Sequence, residues 1–251
     1  LKVVQGKTRG LVARYKMIGQ WSFGLALGAF LVFNQISPYA STATSVPFFS
    51  DVQARFTVWS FILFTGVVVS GSSNAVNLTD GLDGLAAGLS AIAAVTLGIF
   101  AYIAGRFDMS EYLGFFYLPG AGELMIFAVA LAGSAIGFLW YNAYPAQVFM
   151  GDTGSLALGG ALGVMAILLK AEFLLVIVGG VFVMETLSVI IQRVCFVYTR
   201  LRFGEGRRVF RMAPIHHHFE ALGWPETKVV TRFWIIGILF AMLAISTLKI
   251  R

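Results

Sequence analysis

Residues Leu85–Ala104 read LAAGLSAIAAVTLGIFAYIA, a run without a single charged side chain. The hydrocarbon core of a bilayer is about 30 Å thick, and a helix rising 1.5 Å per residue needs about 20 mostly apolar residues to cross it. This stretch meets that requirement alone, and it sets the frame for the rest. Working outward on the same rule, further spans are expected at 17–36, 57–76, 124–141, 156–169, 172–192 and 233–248, which makes seven. The fifth is short and rich in glycine (Gly159, Gly160, Gly163), and only Lys170-Ala171-Glu172 separates it from the sixth, so those two are expected to form a tight helical hairpin. Gly179-Gly180 offers a place for the sixth to bend. The predicted fold class is an all-α, polytopic integral membrane bundle of about seven transmembrane helices. Without repeat, low-complexity tract or linker, residues 1–251 read as a single domain.

Composition points the same way. Of 251 residues 58% are hydrophobic and 12% charged, and the 23 phenylalanines outnumber the 12 acidic residues. Mean hydropathy is +0.84. A water-soluble domain carries about 25% charged residues, so soluble globular, disordered and disulfide-scaffold classes are all excluded. The net charge of +6 marks cytoplasmic loops in such a chain, and no nucleic-acid partner is expected. Thirteen of the 18 basic residues fall in 1–16 and 193–232, with six spans between these segments. An even number returns the chain to the side it left, so both segments are expected in the cytoplasm, along with loops 71–84 and 140–155. The lone Cys195 has no partner for an intrachain disulfide. Leu1 is not an initiator methionine and no signal peptide precedes the first span, so the chain is expected to start inside a longer reading frame or to be processed.

The loops assigned to the cytoplasm hold the chemistry. Asn74, Asn77 and Asp80 recur every three residues at the end of a long apolar run, followed by Gly81, Asp83 and Gly84. A helix cap or turn explains one of these residues, but not two Asn and two Asp at a membrane boundary, where ionisable groups are functional by default. An EF-hand is excluded, because the twelfth position from Asp80 is Ala91 and not Glu. Downstream, Asp152 stands between Gly151 and Thr153-Gly154 just before a new helix. It suits either an N-cap or a Mg²⁺ ligand, since hard cations take carboxylate oxygens and share substrate phosphates. His216, His217 and His218 follow Pro214-Ile215 in a loop rich in arginine. Consecutive histidines rarely converge on one zinc ion, so hydrogen bonding or proton donation to an anionic substrate is the better reading. Glu185 and Gln192 are seven apart and share a helix face that must look into the bundle or a wet cavity.

The runs NAVNLTDGLDGL (Asn74–Leu82 and beyond), NAYPAQVFMGDTGSLALGG (from Asn142) and APIHHHFE (from Ala213), in this order, resemble the phospho-N-acetylmuramoyl-pentapeptide transferases. These belong to the polyprenyl-phosphate N-acetylhexosamine-1-phosphate transferase superfamily. The resemblance extends over essentially the whole chain. It implies transfer of phospho-N-acetylmuramoyl-pentapeptide from UDP-MurNAc-pentapeptide to undecaprenyl phosphate, giving lipid I and UMP, the first membrane step of peptidoglycan synthesis. It further implies Mg²⁺, a homodimer, and a multi-pass protein of the bacterial inner membrane with its site on the cytoplasmic face. By the same resemblance Asp152 is the Mg²⁺ ligand, and Asn74, Asn77, Asp80 and Asp83 lie in the active-site cleft. Asp83 and Phe149 are then near the uracil, Asn142 and Gln192 help to hold the nucleoside, and His216, His217 and His218 meet the substrate phosphates. Lys2 and Lys16 match basic positions that the family needs.

One departure stands out. The family's Asp-Asp-x-x-Lys motif would place its lysine at Lys2 and its aspartates before Leu1, and three further spans would precede these seven. The 251-residue piece by itself is therefore expected to be inactive. Two other functions fit parts of the pattern. A related transferase of N-acetylglucosamine-1-phosphate would share the membrane site but not the Pro-Ile-His-His-His-Phe-Glu run. A transporter would bind its ion near mid-membrane, whereas the polar residues here gather at one face.

Overall fold

The computed structural model describes residues 13–34 and 41–249. Seven of its helices are long and apolar enough to cross a bilayer, as the spacing of apolar runs predicts. In chain order these are α1 (Ala13–Phe33), α2 (Val58–Thr79), α3 (Leu85–Ala104), α5 (Gly122–Asn142), α6 (Gly151–Leu168), α8 (Gly180–Phe203) and α10 (Glu226–Ser246). Three short helices lie between them: α4 (Phe107–Tyr112), α7 (Glu172–Val178) and α9 (Ile215–Ala221).

Sequence fixes the core through small residues. Helix α3 has the most buried surface, with Leu85, Ala87, Leu97, Phe100, Ala101 and Ala104 losing all or nearly all of their exposure. In lipid, apolar burial does not drive helices together, so close backbone approach and polar bonds between helices must. Gly24 and Gly28 of α1 supply the first: a Cβ on Gly24 would lie 2.8 Å from the Gly66 Cα of α2. Thr65 supplies the second, its hydroxyl donating to the Gly24 carbonyl at 3.1 Å. Gly159 and Gly163 of α6 lie in the same way against Ser72 and Ser73 of α2.

Two features depart from the simple span reading. The loop expected at 37–56 contains a β-hairpin, β1 (Ala43–Val46) antiparallel to β2 (Phe49–Arg55), with Ala43 paired to Arg55 and Ser45 to Gln53. It is tied to the turn between α6 and α7. The Lys170 carbonyl accepts from Ser45 N at 2.9 Å, Ser45 Oγ at 2.8 Å and Thr44 Oγ1 at 3.0 Å. Lys170 Nζ donates in return to the carbonyls of Ser41 at 3.2 Å and Ala43 at 3.1 Å. The second departure is in the sixth span, which is broken at Gly179 into α7 and α8. Helix α8 then continues past the apolar window to Phe203, so Arg193, Arg200 and Arg202 are helical and not loop residues. It stops where Gly204 takes a left-handed φ of 79°.

The helix ends sort into two groups. At one end the beginnings of α1, α6 and α10 gather with the ends of α2 and α5, through Lys16–Asp152, Asn77–Asp152, Asp83–Glu226 and Gly84–Asn142 contacts. At the other end the hairpin meets the α6–α7 turn, and Lys249 beyond α10 donates to Tyr112 OH of α4 at 3.0 Å.

Candidate active site

Three helix termini supply the centre of the first end. Helix α6 opens at Gly151 (φ 62°), and Asp152 sits in its first turn, where the helix dipole favours a carboxylate. It is not the helix cap: that position is Met150, which makes no side-chain cap bond. The Asp152 carboxylate is directed across to the neighbouring helices, forming an ion pair with Lys16 of α1 and accepting from Asn77 Nδ2 of α2 at 3.1 Å. Asn77 Nδ2 is held at 2.9 Å by Ser155 Oγ, one turn further along α6. Asp80 closes α2 on the same side. Burial, and after it the charge of Asp152, pushes its carboxyl up to about 6. Two carboxylates that raise each other's cost of ionisation, with an ammonium beside them, form a site that gains from a cation.

A second group stitches the surrounding loops. Asp83 Oδ2 accepts from Ala146 N at 2.9 Å, while its own N–H donates to Glu226 Oε1 of α10 at 2.7 Å. Asn142 is buried; its Oδ1 accepts from Gly84 N at 3.1 Å and its Nδ2 donates to the Val148 carbonyl at 2.8 Å. Phe149, next to that carbonyl, is 74% exposed. Gln192 holds the arginine-rich loop against α8, accepting from Val209 N at 3.0 Å and Phe210 N at 2.9 Å and donating to the Phe210 carbonyl at 3.1 Å. Asn142 and Gln192 thus spend their amides on backbone and shape the loops around them.

The histidines do not share one environment. His216 is wholly buried and faces Glu185 of α8, which is equally buried, as its helix face required. His217 is half-buried beside Glu220, and His218 Nδ1 accepts from Arg211 N at 3.1 Å. The expectation set all three imidazoles against substrate phosphates; burial leaves His217 and His218 as those a phosphate can reach in this conformation. Asn74 also turns away from the centre. Its Nδ2 donates to the Ser70 carbonyl at 2.7 Å and to Gln20 Oε1 of α1 at 2.8 Å, so it joins α1 to α2. Lys2 lies outside the described residues. Sequence reading gave no role to Ser155, Glu220 or Glu226. In the sequence Glu226 stands only as one acid in the basic segment 193–232, ahead of the span expected at 233–248; α10 begins at Glu226 itself, and its partner Asp83 is far away in the chain.

Two apolar grooves follow α2. One of about 600 Å³ lies between α1, α2 and α6, lined by Lys16 with Phe23, Val69, Leu156 and Gly160. The other, of about 340 Å³, runs from Phe64 to Val76, walled by Leu162 of α6, Phe173 of α7 and Phe182 and Val183 of α8. Of the central residues, Lys16 lines the first groove, and Asn77, Asp80 and Asp152 line neither. Among the described residues no three His, Cys, Asp or Glu side chains gather into a closed metal cage.

The chain as a whole is similar to known proteins. The profile of the family described as glycosyl transferase family 4 matches residues 8–170, a range that includes Lys16, Asn77, Asp80, Asp83 and Asp152. A phospho-N-acetylmuramoyl-pentapeptide-transferase of Gemmatimonas aurantiaca is 59% identical over 98% of this chain and 67% of its own length. Proteins of the same name from Chloroherpeton thalassium and Chlorobium phaeobacteroides are 50% and 49% identical, each over all of this chain and 68% of their own length. The chain therefore spans about two thirds of the length of these relatives.

Proposed function

The chain belongs to glycosyl transferase family 4, among the phospho-N-acetylmuramoyl-pentapeptide transferases, and from that membership we propose the reaction at this site. Phospho-N-acetylmuramoyl-pentapeptide is transferred from its UDP carrier to undecaprenyl phosphate, with UMP as the leaving group and lipid I as the product. One observation carries the reading to this geometry: Lys16, Asn77, Asp80 and Asp152, from three helices, converge, and Lys16 itself lines an apolar groove between α1, α2 and α6. A polyprenyl chain needs such a groove, and its phosphate needs a polar terminus to that groove.

Chemically, an oxygen of the lipid phosphate forms a bond to the sugar-bearing phosphorus of the nucleotide. The bond from that phosphorus to the bridging oxygen breaks, and UMP departs with the electron pair. Two anions must meet, so repulsion is the main obstacle. Lys16 offsets it with an ammonium already held at the centre by Asp152. Asp152 and Asp80 would hold Mg²⁺, which when bound supplies further neutralisation of the pyrophosphate. Asn77 and Ser155 keep Asp152 directed at that place. The loops pinned by Asp83, Asn142 and Gln192, with exposed Phe149 between them, form the uridine side. His217 and His218 are within reach of the phosphates.

The site lies on the cytoplasmic face of the bacterial inner membrane in this proposal, where nucleotide sugars are made. The homodimer implied by the resemblance belongs to the same proposal and is tested by the mass of the protein–detergent particle. The deciding experiment uses protein expressed from its complete reading frame and solubilised in detergent. UMP release from UDP-MurNAc-pentapeptide should require undecaprenyl phosphate, stop with EDTA and resume with Mg²⁺. UDP-N-acetylglucosamine should neither react nor compete. Turnover of the latter in place of the former would shift the assignment to the related N-acetylglucosamine-1-phosphate transferases.

A further inference from the structure

Behind the histidine run stand two carboxylates that the proposed reaction does not use. Glu185 lies within α8 with no exposed side-chain surface, and His216 Nδ1 is 3.1 Å from its Oε1. Neither side chain makes a hydrogen bond of normal geometry, and among the described residues this close approach pairs the two. Glu220 lies on α9, and its Oε2 is 2.6 Å from His217 Nδ1. The two imidazoles touch, with ring centroids 4.2 Å apart and planes at 59°.

The opposite nitrogens turn towards one place. A Cβ added to Gly81 would run into His216 Nε2, would sit 2.9 Å from His216 Cε1, and would lie 3.3 Å from His217 Nε2. Gly81 follows Asp80, one of the two carboxylates at the centre. Two imidazoles, each with a carboxylate at Nδ1, therefore bring their Nε2 atoms to the same turn. A buried carboxylate is costly unless it is paired, and breaking such a pair is costlier still. A single staple between α8 and α9 would account for Glu185. It would not account for a second carboxylate at the same ring position of the next histidine. A carboxylate at Nδ1 keeps the proton on that nitrogen and leaves Nε2 to act on whatever faces it.

We propose that Glu185 and Glu220 are positioning residues that fix the tautomer and orientation of His216 and His217, so that both Nε2 atoms are held against the Asp80–Gly81 turn. Neither touches substrate. Glu185 acts through His216, which buttresses the turn from below, and Glu220 acts through His217, whose Nε2 borders the space for the phosphates. The catalytic consequence rests on the proposed phosphosugar transfer, while the tautomer consequence does not.

The test uses Glu185→Gln and Glu220→Gln in protein expressed from its complete reading frame. Glutamine offers both a donor and an acceptor, so it no longer selects the Nδ1-protonated tautomer. Ring ¹⁵N spectra of histidine-labelled protein should show Nδ1-protonated imidazoles in the parent and a redistribution towards the other tautomer in each variant. UMP release should fall about 10- to 100-fold in kcat, the range seen when an orienting carboxylate is removed, with KM for the lipid acceptor unchanged. Glu220→Gln, at the half-buried pair, should keep the parent's melting temperature, which separates positioning from folding. Unchanged ring spectra in both variants would overturn the proposal. So would parent-level kcat, or losses that only follow the folded fraction. If the parent released no UMP from any nucleotide sugar, the proposed function would fall, and the ring spectra would still decide this inference.

Discussion

Lys16 and Asp152 show how little a charge pair at the site contributes to folding and how much to chemistry. Their side chains are 23% and 57% exposed, so the pair is worth no more than about 1 kcal/mol. Lys16→Met should therefore leave the melting temperature in detergent nearly unchanged while strongly reducing UMP release; equal losses in both would assign Lys16 to folding instead. Residue types and spacing made this pair visible as two candidates but not as partners. The same holds for Asn74 and Asn77. A spacing of three sets each residue about 60° from the last on a helix, enough for Asn74 to reach Gln20 on α1 and Asn77 to reach Asp152 on α6. Their identity was legible in the sequence. Which of them faces the centre depends on which helix each one meets.

Between elements, contact is governed by small residues and by backbone carbonyls. A methyl on Gly159 would meet Ser72 O and would lie 2.7 Å from Ser73 Cα, both backbone atoms that cannot swing aside. Gly159→Ala should force α2 and α6 apart at a cost of about 1–3 kcal/mol. Because α2 carries Asn77 and α6 carries Asp152, Mg²⁺ dependence of UMP release should weaken along with the melting temperature. At the opposite end, Lys170→Met removes the donor to the Ser41 and Ala43 carbonyls and should cost about 1–3 kcal/mol for the groups left unsatisfied. Its kcat should stay at the parent level, since the hairpin is remote from the centre; a large fall in kcat would show that the hairpin is coupled to the site. Span counting located these helices by their apolar windows. It missed the hairpin, a short polar-containing pair whose strands are stabilised by a lysine 125 or more residues away in sequence. It also ended the sixth span too early, because α8 continues as a helix through arginines until Gly204 stops it.

Over the whole molecule, the alternation of seven spans puts the hairpin and the arginine-rich loop at opposite ends. In a Cys195→Ser background, Arg55→Cys should react with a membrane-impermeant maleimide in intact spheroplasts. Glu205→Cys should react only after permeabilisation, and the reverse pattern would invert the orientation. That expectation came from counting basic residues and spans, quantities that belong to the chain and need no coordinates. The sequence by itself determined the bilayer as solvent, the seven spans, the side on which charge collects and the motifs that mark a phosphosugar transferase, because hydropathy, helix length and charge are summed along the chain. Only the tertiary structure decided that Asp152 meets Lys16 and Asn77, that Asn142 and Gln192 spend their amides on loops, and that His216 retreats beneath Gly81 to face Glu185. Each of those pairings joins residues on different helices or loops, and a side chain's partner there is set by how the glycine-lined faces of the helices pack.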